Sequence, residues 1–285
     1  MLKPRPRGEP PTGSAERAPL RRGQGPVASV ASYCGKVLAI AGMEVRKLRH
    51  DPTELLTRAI QPMLWLLVFG VVFARTRAIP TGTLGYLDFL APGILAQSVL
   101  FVAIFYGISI IWERDLGIVH KFLVSPTPRT ALVLGKAVSA GVRALSQAMI
   151  VYAVAVVLGV RMNWNASALG GVIVLVMLGA ALFSTFSLII ACIVKTRERF
   201  MGIGQVLTMP LFFASNAIYP IDIMPDWLKW IAHVNPLTYE VDGLRALMLA
   251  GGSSALGLPV DLSVLATTLT ALVLVGGWIY PRIVI

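Results

Sequence analysis

A loop that cradles a nucleotide phosphate needs the spacing Gly-x-x-x-x-Gly-Lys-Ser/Thr, because glycine amides must close on the phosphate oxygens while the lysine and the hydroxyl reach the phosphates and the metal. Two Gly-Lys pairs occur here, and neither completes that pattern. Gly35-Lys36 is followed by Val37, with Val30 where the first glycine belongs; Gly135-Lys136 is followed by Ala137, with Thr130 in that place. His50, His120 and His233 are dispersed and match no metal-ligand spacing. Cys34 and Cys192 form no paired pattern, so no disulfide is expected. Proton-coupled pumps place paired acids within their spans, yet residues 89–111 and 168–194 contain no Asp, Glu, Lys or Arg. The chain is expected to hold no catalytic group, cofactor or metal of its own.

The composition explains where such residues must work. Of 285 residues, 56% are apolar and 14% charged, against roughly 45–50% and about 25% in soluble domains. A soluble fold cannot hide that much apolar surface, which excludes a soluble enzyme, a disordered chain and a disulfide scaffold. A net charge of +11 would suggest nucleic acid in a soluble protein; beside long apolar runs it marks cytoplasmic loops. An all-α polytopic membrane protein in contact with lipid, with no nucleic-acid partner, is the reading.

Periodicity then sets out the elements. Residues 1–26 carry six Pro, four Gly and six Lys or Arg with no apolar run, a disordered basic tail. Arg21-Arg22 leads into Gly-Gln-Gly-Pro, so neither a signal peptide nor a twin-arginine signal is expected. Residues 27–51 hold Val30, Tyr33, Val37, Leu38, Ala41, Val45 and Leu48 at helical spacing, with Lys36, Glu44, Arg46, Lys47 and Arg49 on other faces. This predicts an amphipathic helix lying on the membrane. Asp51-Pro52-Thr53-Glu54 combines an N-cap, a first-turn proline and a following acid, which opens a transmembrane domain over 52–285.

Six spans are expected, at 55–74, 87–111, 137–160, 168–194, 200–219 and 262–281. Eighteen Lys and Arg fall on the side of the termini, against five opposite (Arg75, Arg77, Arg161, Lys229 and Arg245), which predicts that both termini are cytoplasmic. Arg58, Gln61 and Pro62 interrupt the first span, and Arg58 can snorkel to the headgroups. Trp227 and Trp230 share one face of a short helix at the outer interface. Residues 236–250 are expected to form a second short helix dipping back into the protein.

Two sets of polar residues stand out. Between the second and third spans, Trp112 to Pro128 mixes Glu113, Arg114 and Asp115 with Ile118, Phe122 and Leu123 at helical intervals, then stops at Pro126 and Pro128. Such a helix either docks in a partner's groove or lies against its own bundle. Within the spans, Ser146, Gln147, Ser184, Ser187, Ser215 and Asn216 can line a pathway or mediate helix packing. Arg143, well inside the third span, must face the interior, a water-filled cavity or a headgroup.

Glu113-Arg114-Asp115-x-Gly117, then Leu123-x-Ser125-Pro126 and Gly135-Lys136, resemble the first cytoplasmic loop of type-2 ABC transporter permeases, the family that includes daunorubicin-resistance exporters. On the outer side Ser215-x-Ala217-Ile218-Tyr219-Pro220, Met224-Pro225-x-Trp227-Leu228, Asn235-Pro236-Leu237-Thr238-Tyr239 and Gly243-Leu244-Arg245 are similar to a second family motif. The family often has Glu where this chain has Asp115. The resemblance covers about residues 30–283.

It implies a six-span permease in the inner or plasma membrane of a prokaryote, pairing with itself or a homologous permease. Two copies of a separate ATP-binding subunit would bind ATP and Mg. It further implies an ATPase-coupling role for Glu113, Arg114, Asp115, Gly117, Phe122, Leu123, Ser125 and Pro126. Tyr219, Pro220, Asn235, Pro236, Tyr239 and Arg245 would form an extracellular gate motif, and Arg143, Gln147, Ser215 and Asn216 are pathway candidates. The expected cargo is a hydrophobic or amphipathic compound, as in multidrug or antibiotic-resistance export. A polysaccharide or glycolipid exporter and a membrane assembly component without transport are the alternatives.

Overall fold

Long apolar runs broken by short polar or glycine-containing segments fold into successive helices. A computed structural model describes residues 60–76, 79–82, 84–116, 129–194 and 196–279, with the single residues 35, 42 and 57. The tail 1–26, the helix start at 51–54 and all of the expected interfacial helix except Gly35 and Gly42 lie outside the described residues. In chain order the helices are α1 (Ile60–Thr76), α2 (Tyr86–Tyr106), α3 (Ile108–Asp115), α4 (Arg129–Val157), α5 (Ala166–Ile193), α6 (Arg197–Phe213), α7 (Asp226–Val234), α8 (Pro236–Met248) and α9 (Leu258–Ile279). Among the described residues no strand forms beyond one isolated bridge between Met162 and Leu249.

The hub is α2, whose residues from Phe89 to Leu100 are all buried, packed against α4, α5, α8, α1 and α6. By contrast α9 turns Leu274, Val275 and Trp278 outward, an apolar surface suited to lipid. Four helices, α2, α4, α5 and α9, are long and apolar enough to cross a membrane. Within α1, Trp65–Gly70 widens into a π-helical stretch, a local form that often accompanies functional positions. Trp65, Phe69 and Phe73 stack along one face there, and Trp65 meets Phe212 of α6 edge-on at 5.6 Å.

Three expected spans differ from the helices that form. The stretch 87–111 breaks at Gly107, where the backbone presses so closely on α5 and α6 that an added Cβ would lie 2.0 Å from Ser187 Oγ and 2.9 Å from the Phe200 ring. Only glycine allows that crossing, and it is at this residue that α2 ends and α3 begins. The third expected span starts earlier, at Arg129, because the helix of α4 runs unbroken through Lys136. The fifth stops at Phe213 and not at 219, since Ser215 to Ile218 are drawn into a turn by side chains from other helices.

The connections define two ends. Arg161, in the α4–α5 loop, donates its backbone N–H to Asp88 Oδ1 (3.1 Å) and its Nε and Nη2 to Asp88 Oδ2 (3.4 and 3.3 Å) at the start of α2. At the opposite end, Thr196 caps α6 by accepting the Arg199 N–H at 3.4 Å. These are called the Arg161 end and the Arg197 end.

Candidate functional site

Between α1, α2, α4 and α6, toward the Arg197 end, lies a cavity of about 520 Å³. Its polar lining is made of amides and hydroxyls: Gln61 of α1, Gln97 and Ser98 of α2, Gln147 of α4 and Gln205 of α6. Phe101 and Phe105, one helical turn apart on α2, stack at 6.0 Å and supply a flat apolar wall, while Ile108 of α3 and Met201 of α6 close the Arg197 side. No charged side chain lines it among the described residues. Ser98 Oγ donates to the Ile94 carbonyl at 2.8 Å and is satisfied within its own helix. Gln97 and Gln147 are not: each is about 98–99% buried, and among the described residues the Nε2 and Oε1 atoms of both have no hydrogen-bond partner. Leaving such a group unpaired costs about 1–3 kcal/mol, which sets this amide pair apart from the satisfied hydroxyl of Ser98.

Next to this wall, Tyr106 ends α2 and receives two cations of α4, with Arg143 Cζ 5.4 Å and Lys136 Nζ 5.9 Å from its ring centroid. Arg143 therefore sits at the end of the hub helix and not on the cavity lining. At the Arg197 end itself, Arg197 Nη2 donates to Asp115 Oδ2 at 2.9 Å, and its guanidinium lies 3.7 Å from the Trp112 ring centroid. The last turn of α3 is thus fastened to the first turn of α6. Glu113 and Arg114 belong to α3 by backbone, whereas Gly117, Phe122, Leu123, Ser125 and Pro126 lie outside the described residues.

The Arg161 end is built differently. Asn235, which starts α8, accepts the Leu237 N–H at 3.0 Å and donates from Nδ2 to the carbonyls of Leu211 (2.6 Å) and Ala214 (3.1 Å) at the end of α6. Pro236 takes the first helical position, where a missing N–H costs nothing. Arg245, 7% exposed, lays its guanidinium on the Phe89 ring at 3.9 Å and donates to the Asn216 carbonyl at 2.8 Å. Tyr239 donates to the His233 carbonyl at 2.7 Å, Tyr219 to that of Phe213, and Pro220 precedes a short 3-10 turn. Asp242 accepts from Ser254 Oγ at 2.7 Å and the Leu256 N–H at 2.9 Å.

Of the four pathway candidates, the cavity takes Gln147 alone. Ser215 and Asn216 are buried in the turn after α6 instead, because Ser215 Oγ donates to the Phe212 carbonyl at 2.7 Å and Arg245 captures the carbonyl of Asn216. Ser146, Ser184 and Ser187 donate to helix carbonyls, Ser187 reaching Ile104 across from α5 to α2, which is helix packing. Sequence reasoning missed Gln97, Gln205 and Arg197. A search for uncharged amides inside charge-free spans finds Gln97, whereas nothing in the sequence pairs Arg197 with Asp115. It also missed Glu240 of α8, fully buried with both carboxylate oxygens unpaired, packed where Gly179 of α5 leaves room for it.

Comparison with known proteins gives a consistent result. The family model described as ABC-2 type transporter matches residues 36–249. The transport permease ycf38 of Cyanophora paradoxa is 30% identical over 203 residues, covering 70% of each chain. The daunorubicin resistance ABC transporter permease protein DrrB1 of Streptomyces coeruleorubidus is 25% identical over 205 residues, again covering 70% of each. The inner membrane transport permease YadH of Escherichia coli is 21% identical over 195 residues, covering 65% of this chain and 73% of its own.

Proposed function

The chain belongs to the ABC-2 type transporter family, and from that premise we propose that it is the membrane-spanning subunit of an ATP-driven exporter. It works as a pair of permeases with two copies of a separate ATP-binding subunit that holds ATP and Mg. Six crossings are proposed: the four long apolar helices together with α1 and α6. The 17 residues of α6 rise about 25 Å, close to the hydrocarbon thickness. The excess of Lys and Arg on the side of the termini supports a cytoplasmic Arg197 end. The Arg161 end is then extracellular, with α7 and α8 as re-entrant elements between the last two spans. Trp227 and Trp230 of α7, 66% and 77% exposed, suit a membrane–water interface.

The observation that carries the substrate reading is the unpaired amide pair. Four glutamines and two stacked phenylalanines without a charge suit an uncharged, amphipathic compound that offers hydrogen-bonding groups to Gln97 and Gln147 and a flat apolar face to Phe101 and Phe105. A volume near 520 Å³ fits a drug-sized molecule better than a polysaccharide chain. Daunomycinone, the flat, uncharged and hydroxyl-bearing aglycone, serves as the probe in vesicles holding the permease and its ATP-binding subunit. Replacing Gln97 and Gln147 together by Leu should cut ATP-driven accumulation about tenfold, the loss of roughly one good hydrogen bond. The variant should still assemble, since an apolar replacement removes two unsatisfied amides from the interior. Undiminished accumulation would overturn this use of the cavity. ATP hydrolysis by the permease without a second subunit would overturn the division of labour.

A further inference from the structure

We propose that Arg197 is a positioning residue that carries movement of α3 to the wall of the cavity, an inference that rests on the exporter reading above. Arg197 joins α3 in two ways at once: its Nη2 bonds Asp115 Oδ2 at 2.9 Å, and its guanidinium lies flat against Trp112, 3.7 Å from the ring centroid. Trp112 and Asp115 are three residues apart, on one face of α3. The arginine therefore grips that helix at two points of the same face, which fixes an angle as well as a distance.

What Arg197 is attached to gives the grip its consequence. It opens α6, and Met201 and Gln205, four and eight residues further on, line the cavity. Residues at that spacing lie one above the other on a helix. A push or twist of α3 thus arrives at Arg197 and is delivered one and two turns along to the side chains that wall the cavity. The far end of α6 is held, because Asn235 takes the carbonyls of Leu211 and Ala214. The helix is thus anchored at that end and gripped by α3 at the other. Lysine could not replace this residue, since a point charge cannot bond a carboxylate and lie flat on an indole together. The pair is also open to water, with side chains 36% and 39% exposed, so it can part and re-form during a cycle.

The test uses the complete complex of permease and ATP-binding subunit, with Cys34 and Cys192 replaced by serine and a bimane fluorophore on Met201→Cys. ATP, Mg and vanadate are added, and the change in bimane fluorescence is expressed per trapped nucleotide. The parent complex should respond, and Arg197→Ala should reduce the response about tenfold. Arg197→Lys should fall between. The exchange Asp115→Arg with Arg197→Asp restores the ion pair but not the contact with Trp112, so it should recover part of the response, to about the level of Arg197→Lys, which a residue needed only for folding would not do. A full response in Arg197→Ala, or no recovery in the exchange, would overturn the role of Arg197. Absence of a response in the parent complex would overturn the exporter reading itself, and Arg197's role with it.

Discussion

The two ends of the helix bundle are fastened differently. At the Arg161 end, beside the Arg161–Asp88 ion pair, buried side chains hold backbone atoms: Asn235 takes two carbonyls of α6 and one amide of α8, Arg245 takes the Asn216 carbonyl, and Asp88 takes the Arg161 N–H. At the Arg197 end, α3 and α6 are joined side chain to side chain, through a contact that water reaches. Backbone partners inside a packed interior leave no alternative arrangement, because each lost bond strands a buried polar group. A solvated ion pair can exchange its partner for water at little cost. These contacts are what a rigid collar at one end and a movable joint at the other would require, with the glutamine-lined cavity lying toward the joint.

Variants at the two ends test that contrast. The largest effect is expected at Gly93 of α2, where an added Cβ would lie 2.2 Å from the Ala217 carbonyl oxygen in the turn that Arg245 holds. Gly93→Val should lower stability by about 3 kcal/mol or more, read as loss of the monodisperse protein in detergent and of its thermal transition. Tolerance of valine there would break the idea of a rigid collar.

Asn235→Ala comes next. It removes two donated bonds and an N-cap, for a loss of about 2–3 kcal/mol, measured by thermal unfolding in the same detergent. Smallest is Asp115→Asn at the joint, where a half-exposed pair is worth at most about 1 kcal/mol, so unfolding should barely shift. A loss at Asp115 equal to that at Asn235 would mean that both ends are structural, whereas a near-silent Asp115 with altered nucleotide response sharpens the division between them.

Much of this architecture is legible in order of residues alone. The charge-free stretches gave α2 and α5 because apolar content and helical length are properties of consecutive residues. The short helices expected around Trp227 and over 236–250 form as α7 and α8, because helical spacing and a first-turn proline are also local. The same reasoning ran 87–111 through as one span, since the close approach of Ser187 and Phe200 to Gly107, where the helix breaks, comes from other helices. It left Ser215 and Asn216 as candidates for either a pathway or helix packing for a related reason. A hydroxyl and an amide in an apolar neighbourhood look alike whether they face a void or close a turn, and Arg245 decides which. Arg245 counts as an outer-side charge in sequence, yet it is buried against Phe89.

The sequence by itself determined that this chain lives in a membrane as a bundle of helices, and that neither of its Gly-Lys pairs completes the Gly-x-x-x-x-Gly-Lys-Ser/Thr spacing. Composition, periodicity and motif spacing are one-dimensional quantities, and bilayer thickness converts them directly into structure. Only the tertiary structure decided that Gln97 and Gln147 face one cavity, that Arg197 reaches both Trp112 and Asp115, and that Arg245 and Asn235 hold the backbone after α6. Those facts depend on which distant residues come within hydrogen-bonding reach, and packing alone sets that distance.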